Sequence, residues 1–455
     1  MYNILILGTE KTHEYEELIK TFLRSDTFQL LSEGDVTAPD VVFTFAGDKN
    51  RLKFELYQYL NQKTGIRPPW GIVTGIRPVK LTGDLLRTCK DPAIALDILV
   101  KEYLVASTKA AQAVDMVLHQ HNTVGFPPKG SVGIYIGIPF CPSRCAYCSF
   151  TSYQASDSEM ERYLTAMLRE IRFVAEEMKK YSWFAETIYV GGGTPTTLNL
   201  NQLDRLFAAI RDAFVGQELK EFTLEAGRPD TITKENMSQA FQAGVNRISI
   251  NPQTMQDQTL RLIGRNHNRQ QVHDAFEIAR NAGIGIINTD MIAGLPGESL
   301  TDFAATLDEI LNLNPQNITV HSLAMKRASR LTEENKNFHF EQADVVAKML
   351  DYSEKCLHAH DYTPYYLYRQ KQMAGSLENV GYCRPGTDSI YNVRIMEENQ
   401  TIIALGAGGI SKAYYPSENR LERIANVSNY EIYIERLDEM ILRKENDLFR
   451  RFETC

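Results

Sequence analysis

Between Gly133 and Ala324 the chain alternates six short β-rich runs with helical stretches, and this alternation constrains its fold more than any other feature. The runs are Ile134 to Ile138, Thr187 to Val190, Glu221 to Leu224, Arg247 to Ile250, Ile284 to Met291 and Asn317 to Ser322. Strands separated in this way by helices join as a parallel sheet. The runs are apolar almost throughout, as a sheet covered by helices on both faces requires. Periodicity alone does not separate an open sheet from a barrel. Polar, glycine-rich sequence, however, gathers at the C-terminal ends of successive runs: Gly191-Gly-Gly-Thr-Pro195, Glu225-Ala-Gly-Arg228, Asn251-Pro-Gln253 and Gly294-Leu-Pro-Gly297. Barrels build their active sites from those ends. The expected fold is therefore α/β, a partial barrel of six strand–helix units.

The loop after the first of these strands carries Cys141, Cys145 and Cys148, within Tyr135-Ile-Gly-Ile-Pro-Phe-Cys-Pro-Ser-Arg-Cys-Ala-Tyr-Cys-Ser-Phe150. Three soft thiolates in one tight loop suit an iron–sulfur cluster or zinc. A [4Fe–4S] cluster held by only three cysteines leaves one iron open to an exogenous ligand. A zinc site would need a fourth ligand from elsewhere, such as His267 or His321. The other four of the seven cysteines, Cys89, Cys356, Cys383 and Cys455, are scattered without a disulfide framework. A net charge of -8, with no clustered Lys and Arg, argues against a nucleic-acid partner. No signal peptide or membrane-spanning run is evident, and cytoplasmic residence is expected.

At 455 residues the chain exceeds one ordinary core, and three domains are expected, at 1–125, 131–330 and 331–455. The first reads as a small α/β unit: a strand at Ile4 to Leu7, an amphipathic stretch from His13 to Leu23, a second strand at Val41 to Phe45, and helical sequence from Lys80 to Gln120. The last is expected to be an α/β lid. It opens on basic sequence with Lys326, Arg327 and Arg330, continues through a long helix from Phe340 to Tyr362 and a tyrosine-rich run to Tyr368, and includes Ile402 to Ile410.

The strand-end residues suggest a nucleoside-bearing ligand beside the thiolates. Gly191, Gly192, Gly193 and Thr194 present backbone polar groups without side-chain bulk, so amino and carboxylate groups can approach the main chain. Glu225 can accept hydrogen bonds from an amino group or ribose hydroxyls, Arg265 offers a planar fork for a carboxylate, and Gln253 and Asp290 can hold a ribose from two sides.

In this order, Tyr-x-x-Ile-Pro-Phe-Cys-x3-Cys-x2-Cys, Gly-Gly-Gly-Thr-Pro-Thr196, Glu225, Ser-Ile-Asn-Pro-Gln253, Gly-Arg265, Asp290 and Gly-Leu-Pro-Gly-Glu298 resemble the radical S-adenosylmethionine (SAM) oxygen-independent coproporphyrinogen III oxidases, also called coproporphyrinogen dehydrogenases. Trp70-Gly-Ile-Val-Thr-Gly-Ile-Arg-Pro78 and Cys148-Ser149-Phe150 are most similar to the HemZ-type branch. The resemblance implies a radical SAM barrel with a HemN-like C-terminal domain, a [4Fe–4S] cluster on Cys141, Cys145 and Cys148, and SAM as the ligand of the open iron. It places Tyr135 beside the cluster as a catalytic residue and Tyr147 against adenine through its backbone. Gly191 to Thr194, Glu225, Gln253, Arg265, Asp290 and Ala324 would line the SAM pocket. The reaction it implies is hydrogen abstraction from two propionates of coproporphyrinogen III by a 5′-deoxyadenosyl radical, with loss of carbon dioxide, giving protoporphyrinogen IX in heme biosynthesis. It further implies a monomer that takes electrons from a flavodoxin or ferredoxin. Gly137 stands where the best-known members have histidine, and relatives include a heme chaperone and anaerobic heme-degrading enzymes.

Overall fold

The computed structural model describes residues 1–35, 37–148, 152–324, 342–370 and 373–453. The chain begins with three strands, β1 (Tyr2–Leu7), β2 (Phe28–Leu31) and β3 (Val41–Thr44), in a parallel sheet with β1 at its centre. β2 was not anticipated from the sequence. Helix Lys49–Thr64 starts where the Asp48 carboxylate accepts the Asn50 and Arg51 amides, and it stops at Gly65, whose φ of 72° suits a residue without a Cβ. Leu52, Leu56 and Leu60, one turn apart, close a small core with Ile4, Ile6 and Phe22. The helical sequence after Lys80 is three helices, Pro78–Cys89, Pro92–Lys101 and Ser107–Thr123. The first break falls at Lys90, which has a left-handed φ of 58°, and Asp91 and Pro92 then restart the chain as cap and first helical residue.

The six anticipated runs form β4 (Ser131–Ile138), β5 (Phe184–Gly192), β6 (Glu221–Glu225), β7 (Arg247–Ser249), β8 (Ile286–Ala293) and β9 (Asn317–Ser322). They lie side by side in chain order and all pair in parallel. Five of the helices that follow begin with reciprocal capping boxes, at Ser156/Glu159, Asn199/Gln202, Thr233/Asn236, Asn268/Gln271 and Ser299/Asp302. Each box satisfies amide groups that the first helical turn leaves without partners, so the side chains just after each loop fix where the crossover turns helical.

The later strands extend this sheet instead of forming their own. β10 (Thr363–Tyr368) and β11 (Asn379–Cys383) add antiparallel beyond β9. At the other edge β12 (Ile402–Leu405) pairs in parallel with β4, followed by antiparallel β13 (Ile410–Tyr415) and β14 (Arg420–Ala425). The result is one eleven-stranded sheet, whose main core runs continuously from Trp70 to Phe449. The tyrosine-rich run is β10, and the long helix is Ala343–Ala359. Lys326, Arg327, Arg330 and Phe340 lie outside the described residues. No helix among the described residues is long and apolar enough to cross a membrane.

Candidate active site

Strand register brings the predicted residues to one mouth. Ile138, where β4 enters the cysteine loop, is level with Gly192 at the end of β5, and Glu225 is level with Ser249 across β6 and β7. A cavity of about 330 Å³ opens there. It is lined by Cys141, Cys145, Cys148, Tyr147, Gly192, Gly193, Thr194, Glu225, Gln253, Arg265, Asp290 and Ala324. Gly191 and Tyr135 stand just behind its wall. The Tyr135 ring stacks at 6.1 Å on Tyr189, which does line the cavity.

The cysteine loop is fastened at both ends. The Cys141 amide donates to the Tyr153 carbonyl at 3.0 Å, and the Ala146 amide to the Ile263 carbonyl at 2.9 Å. The glycine run is joined to its base, with the Gly193 amide donating to Ile138 O at 2.8 Å and the Thr194 amide to Phe140 O at 2.7 Å. A Cβ on Gly193 would lie 2.5 Å from the Phe140 carbonyl oxygen, so only glycine allows this approach. The three thiols are half-buried, and the Cys141 sulfur lies 3.4 Å from Thr194 Oγ1.

Two carboxyl groups at this mouth are driven in opposite directions. Burial, then the negative charge of Asp290, pushes Glu225 up to about 7, against the hydrogen bond it accepts from the Gly192 amide at 3.3 Å. Burial also opposes ionisation of Asp290. The His321 imidazole, 3.5 Å away, and the Asn288 amide, at 2.9 Å, outweigh it and leave that pKa below the usual aspartate value. One carboxyl whose ionisation is opposed and one whose ionisation is favoured thus share the cavity.

Gln253 follows β7 with a φ of 71°, a strained conformation for a non-glycine residue, held by its amide on Asp290 O at 3.0 Å and its carbonyl under the Ile292 amide at 2.9 Å. Its Oε1 is buried without a partner. Arg265 sits deep, giving Nη1 to the carbonyls of Gly227 and Asn251 at 2.9 and 2.6 Å, and Nε and Nη2 to the Tyr147 hydroxyl at 3.2 and 2.9 Å. Tyr147 thus meets Arg265 through its side-chain hydroxyl.

Several lining residues were not singled out from the sequence, Arg228, Tyr189, Asn288 and Asn392, whereas Tyr366 and Tyr368 belong to the tyrosine-rich run, where an amphipathic wall was expected. Arg228 lay in the strand-end run Glu225-Ala-Gly-Arg228, which is the only signal it carried. His321, considered only as a zinc ligand, instead partners Asp290. The Tyr189 ring stacks on Tyr391 at 4.7 Å, and Tyr366 stacks on Tyr368, so part of the cavity lining is aromatic.

These strand ends can be compared with known proteins. Residues 135–310 match the Radical SAM superfamily. Over 410 residues the chain is 38% identical to the oxygen-independent coproporphyrinogen-III oxidase-like protein HemZ of Bacillus subtilis, an alignment covering 89% of this chain and 82% of that one. The chain belongs to the radical SAM, HemZ-type family. It is also 28% identical over 319 residues to the heme chaperone HemW of Lactococcus lactis, covering 69% of this chain and 78% of HemW. Its fold matches the Escherichia coli radical SAM enzyme coproporphyrinogen III oxidase, HemN, with a TM-score of 0.55 at 22% identity, over 70% of this chain and 72% of that one.

Radical SAM membership implies a [4Fe–4S] cluster and SAM, and the residues present fit both. Among the described residues only His119, Cys383 and Asp388, remote from this mouth, gather three ligand atoms within 4.8 Å. At least one pair of loop sulfurs is therefore wider apart than the spacing of about 3.8 Å that a tetrahedral zinc with Zn–S bonds of about 2.3 Å imposes. The His267 side chain is fully buried with the Asp230 carboxylate at 3.9 Å, and burial, with the charges of Arg265 and Arg228, pushes its pKa down to about 3. The glycine cradle and the unpartnered Gln253 Oε1 suit a ligand with amino and hydroxyl donors.

Proposed function

We propose that this HemZ-type protein is a radical SAM oxidoreductase that removes the carboxyl groups of coproporphyrinogen III propionates without oxygen, yielding protoporphyrinogen IX. The observation that carries this reading is a single cavity lined both by the three-cysteine loop and glycine cradle and by Tyr189, Tyr366 and Tyr368. When bound, cluster and SAM supply one-electron reductive cleavage and, through it, hydrogen-atom abstraction from an unactivated carbon. Cys141, Cys145 and Cys148 would hold the cluster, and Gly191 to Thr194 would receive the methionine end of SAM. Glu225, Gln253 and Asp290 would orient the nucleoside, with Asp290 kept ionised by His321. The tyrosine wall gives a flat tetrapyrrole an apolar face with polar edges and keeps water from the reacting carbon. Each propionate then loses one hydrogen atom to the deoxyadenosyl radical, carbon dioxide, and one further electron to an external one-electron acceptor, to become a vinyl group. The electron that starts each turnover comes from a one-electron donor of the flavodoxin or ferredoxin class.

Anaerobic reconstitution with iron, sulfide and SAM, followed by dithionite and coproporphyrinogen III, tests the proposal. Substrate-dependent 5′-deoxyadenosine together with the masses of the mono- and bis-decarboxylated porphyrinogens is the expected result. Deoxyadenosine that coproporphyrinogen does not stimulate, with neither mass formed, would overturn it. The similarity to HemW supports a second reading as a heme chaperone, which stable heme binding and transfer without substrate-dependent deoxyadenosine would favour.

A further inference from the structure

Arg228 has no part in the SAM contacts proposed above, yet it is almost completely buried, with 3% of its surface exposed, against the cysteine loop. It follows the end of β6, and every edge of its guanidinium is engaged. Nε and Nη2 grip the Asp230 carboxylate at 3.2 and 3.4 Å. Nη1 turns to the loop, reaching Ser143 Oγ at 3.0 Å, the Ser143 carbonyl at 3.3 Å and the Cys145 sulfur at 3.9 Å. Ser143 is itself tied down, its hydroxyl donating to the Gly264 carbonyl at 3.2 Å. Arg228 thus stands at fixed distance from one named sulfur.

The charges around this contact do not cancel. Arg265, also buried, lies on the same side of the loop and reaches it through the Tyr147 hydroxyl. Asp230 is the carboxylate paired with Arg228, and His267, 3.9 Å from Asp230, is held neutral by burial between the two arginines. Two guanidinium charges and one carboxylate leave a net positive field at Cys145. A desolvated field of this kind is screened little by solvent.

Hydrogen bonds to the sulfur ligands and the local net charge are two of the levers by which a protein sets the potential of an iron–sulfur cluster. Adding one electron makes the cluster more negative, so a positive donor on a ligand sulfur stabilises the reduced form over the oxidised one. We propose that Arg228 is a positioning residue for the redox step: through its N–H contact to Cys145 it raises the reduction potential of the cluster and brings it within reach of a one-electron donor. The electron arrives from that donor with no bond made or broken at Arg228. This inference rests on the three-cysteine cluster of the proposed function.

The test is a potentiometric titration of the anaerobically reconstituted protein, with iron and sulfide assayed on the same samples and the reduced cluster followed by electron paramagnetic resonance. Arg228→Gln should retain the cluster with a more negative midpoint, a shift corresponding to about a tenfold loss of preference for the reduced state, or about 59 mV for one electron. Arg228→Lys, which keeps the charge but not the fork, should fall between it and the parent. A glutamine variant with full iron content and an unchanged midpoint would overturn the proposal. If that variant fails to hold iron, the lysine variant decides, a parent-like midpoint counting against the proposal and a lower one for it. A parent protein that takes up no iron and sulfide would overturn the cluster reading itself, and this inference with it.

Discussion

Glu225, which lines the cavity, carries a stability penalty in the fold. Its ordinary pKa of 4.5 rises to about 7 in the fold, chiefly through burial. The neutral acid is therefore the form the fold favours. Below about pH 4.5 the group is protonated whether the chain is folded or not. As the pH climbs from there to about 7, ionisation of the unfolded chain progressively destabilises the folded state, and above 7 the penalty is complete. Glu225→Gln, which keeps the shape without the charge, should stabilise the unliganded protein by about 1–3 kcal/mol at pH 8, with the gain vanishing toward pH 4.5. Thermal unfolding across this pH range measures it, and a gain independent of pH would refute the assigned cause. Asp290, displaced the other way by His321, should show no such benefit from Asp290→Asn.

At the scale of elements, the segment following the small N-terminal sheet does its work through one aromatic residue. Trp70 is buried and donates its indole N–H to Glu378 Oε2 at 2.8 Å, while Lys109 pairs with the other oxygen at 2.6 Å. The Glu378 carbonyl in turn accepts from Ser322 Oγ at 2.8 Å, at the end of β9, and the next residue, Asn379, lines the cavity. Arg369, after β10, donates its amide to Ile76 O at 2.7 Å and Nη1 to Val73 O at 2.5 Å. The motif that marks the HemZ-type branch in the sequence is thus a clamp on the β10–β11 hairpin. Trp70→Phe keeps an aromatic ring but a smaller one and removes the donor to a buried carboxylate, and it should lower stability by about 1–3 kcal/mol in urea unfolding. A loss below 0.5 kcal/mol, on the order of an ordinary surface substitution, would argue against the clamp.

Across the whole molecule, the C-terminal strands and helices are held to the parallel core by Glu170, which is fully buried in helix Asp157–Lys180. Its carboxylate takes the Lys444 ammonium at 2.7 Å, the Gly406 amide at 2.8 Å, the Tyr433 hydroxyl at 2.7 Å and the Asn426 side-chain amide at 3.0 Å. Burial raises its pKa, but Lys444 and the other donors reverse this and keep the carboxylate ionised below its usual range. The stability it contributes is present above about pH 4.5 and is lost as the pH falls through its lowered pKa. Lys444→Met strands that charge and should destabilise the protein by about 3–5 kcal/mol, whereas pairing it with Glu170→Gln should recover a good part of the loss. Denaturant unfolding of the two variants would decide, and equal losses in both would exclude an uncompensated charge as the cause.

The sequence by itself determined the six parallel strands, the places where their helices start, the three-cysteine loop and most of the residues at the mouth. Strand burial, capping and tight backbone approach are local demands that particular side chains answer within a few positions. Asp290, within β8, and Arg265, after the turn at Gly264, were legible as candidates from residue type and order along the chain. Contacts across long sequence separation were not readable. Whether Glu378 meets Trp70, Glu170 meets Lys444 or Arg228 meets Cys145 depends on strand order and register. So does the placement of β10, β11 and β12 to β14 on opposite edges of one sheet, where no short-range period distinguishes an edge strand from a separate lid. The opposed pKa values of Glu225 and Asp290 likewise exist only in the folded chain, because burial and the distances to Gly192 and His321 set them.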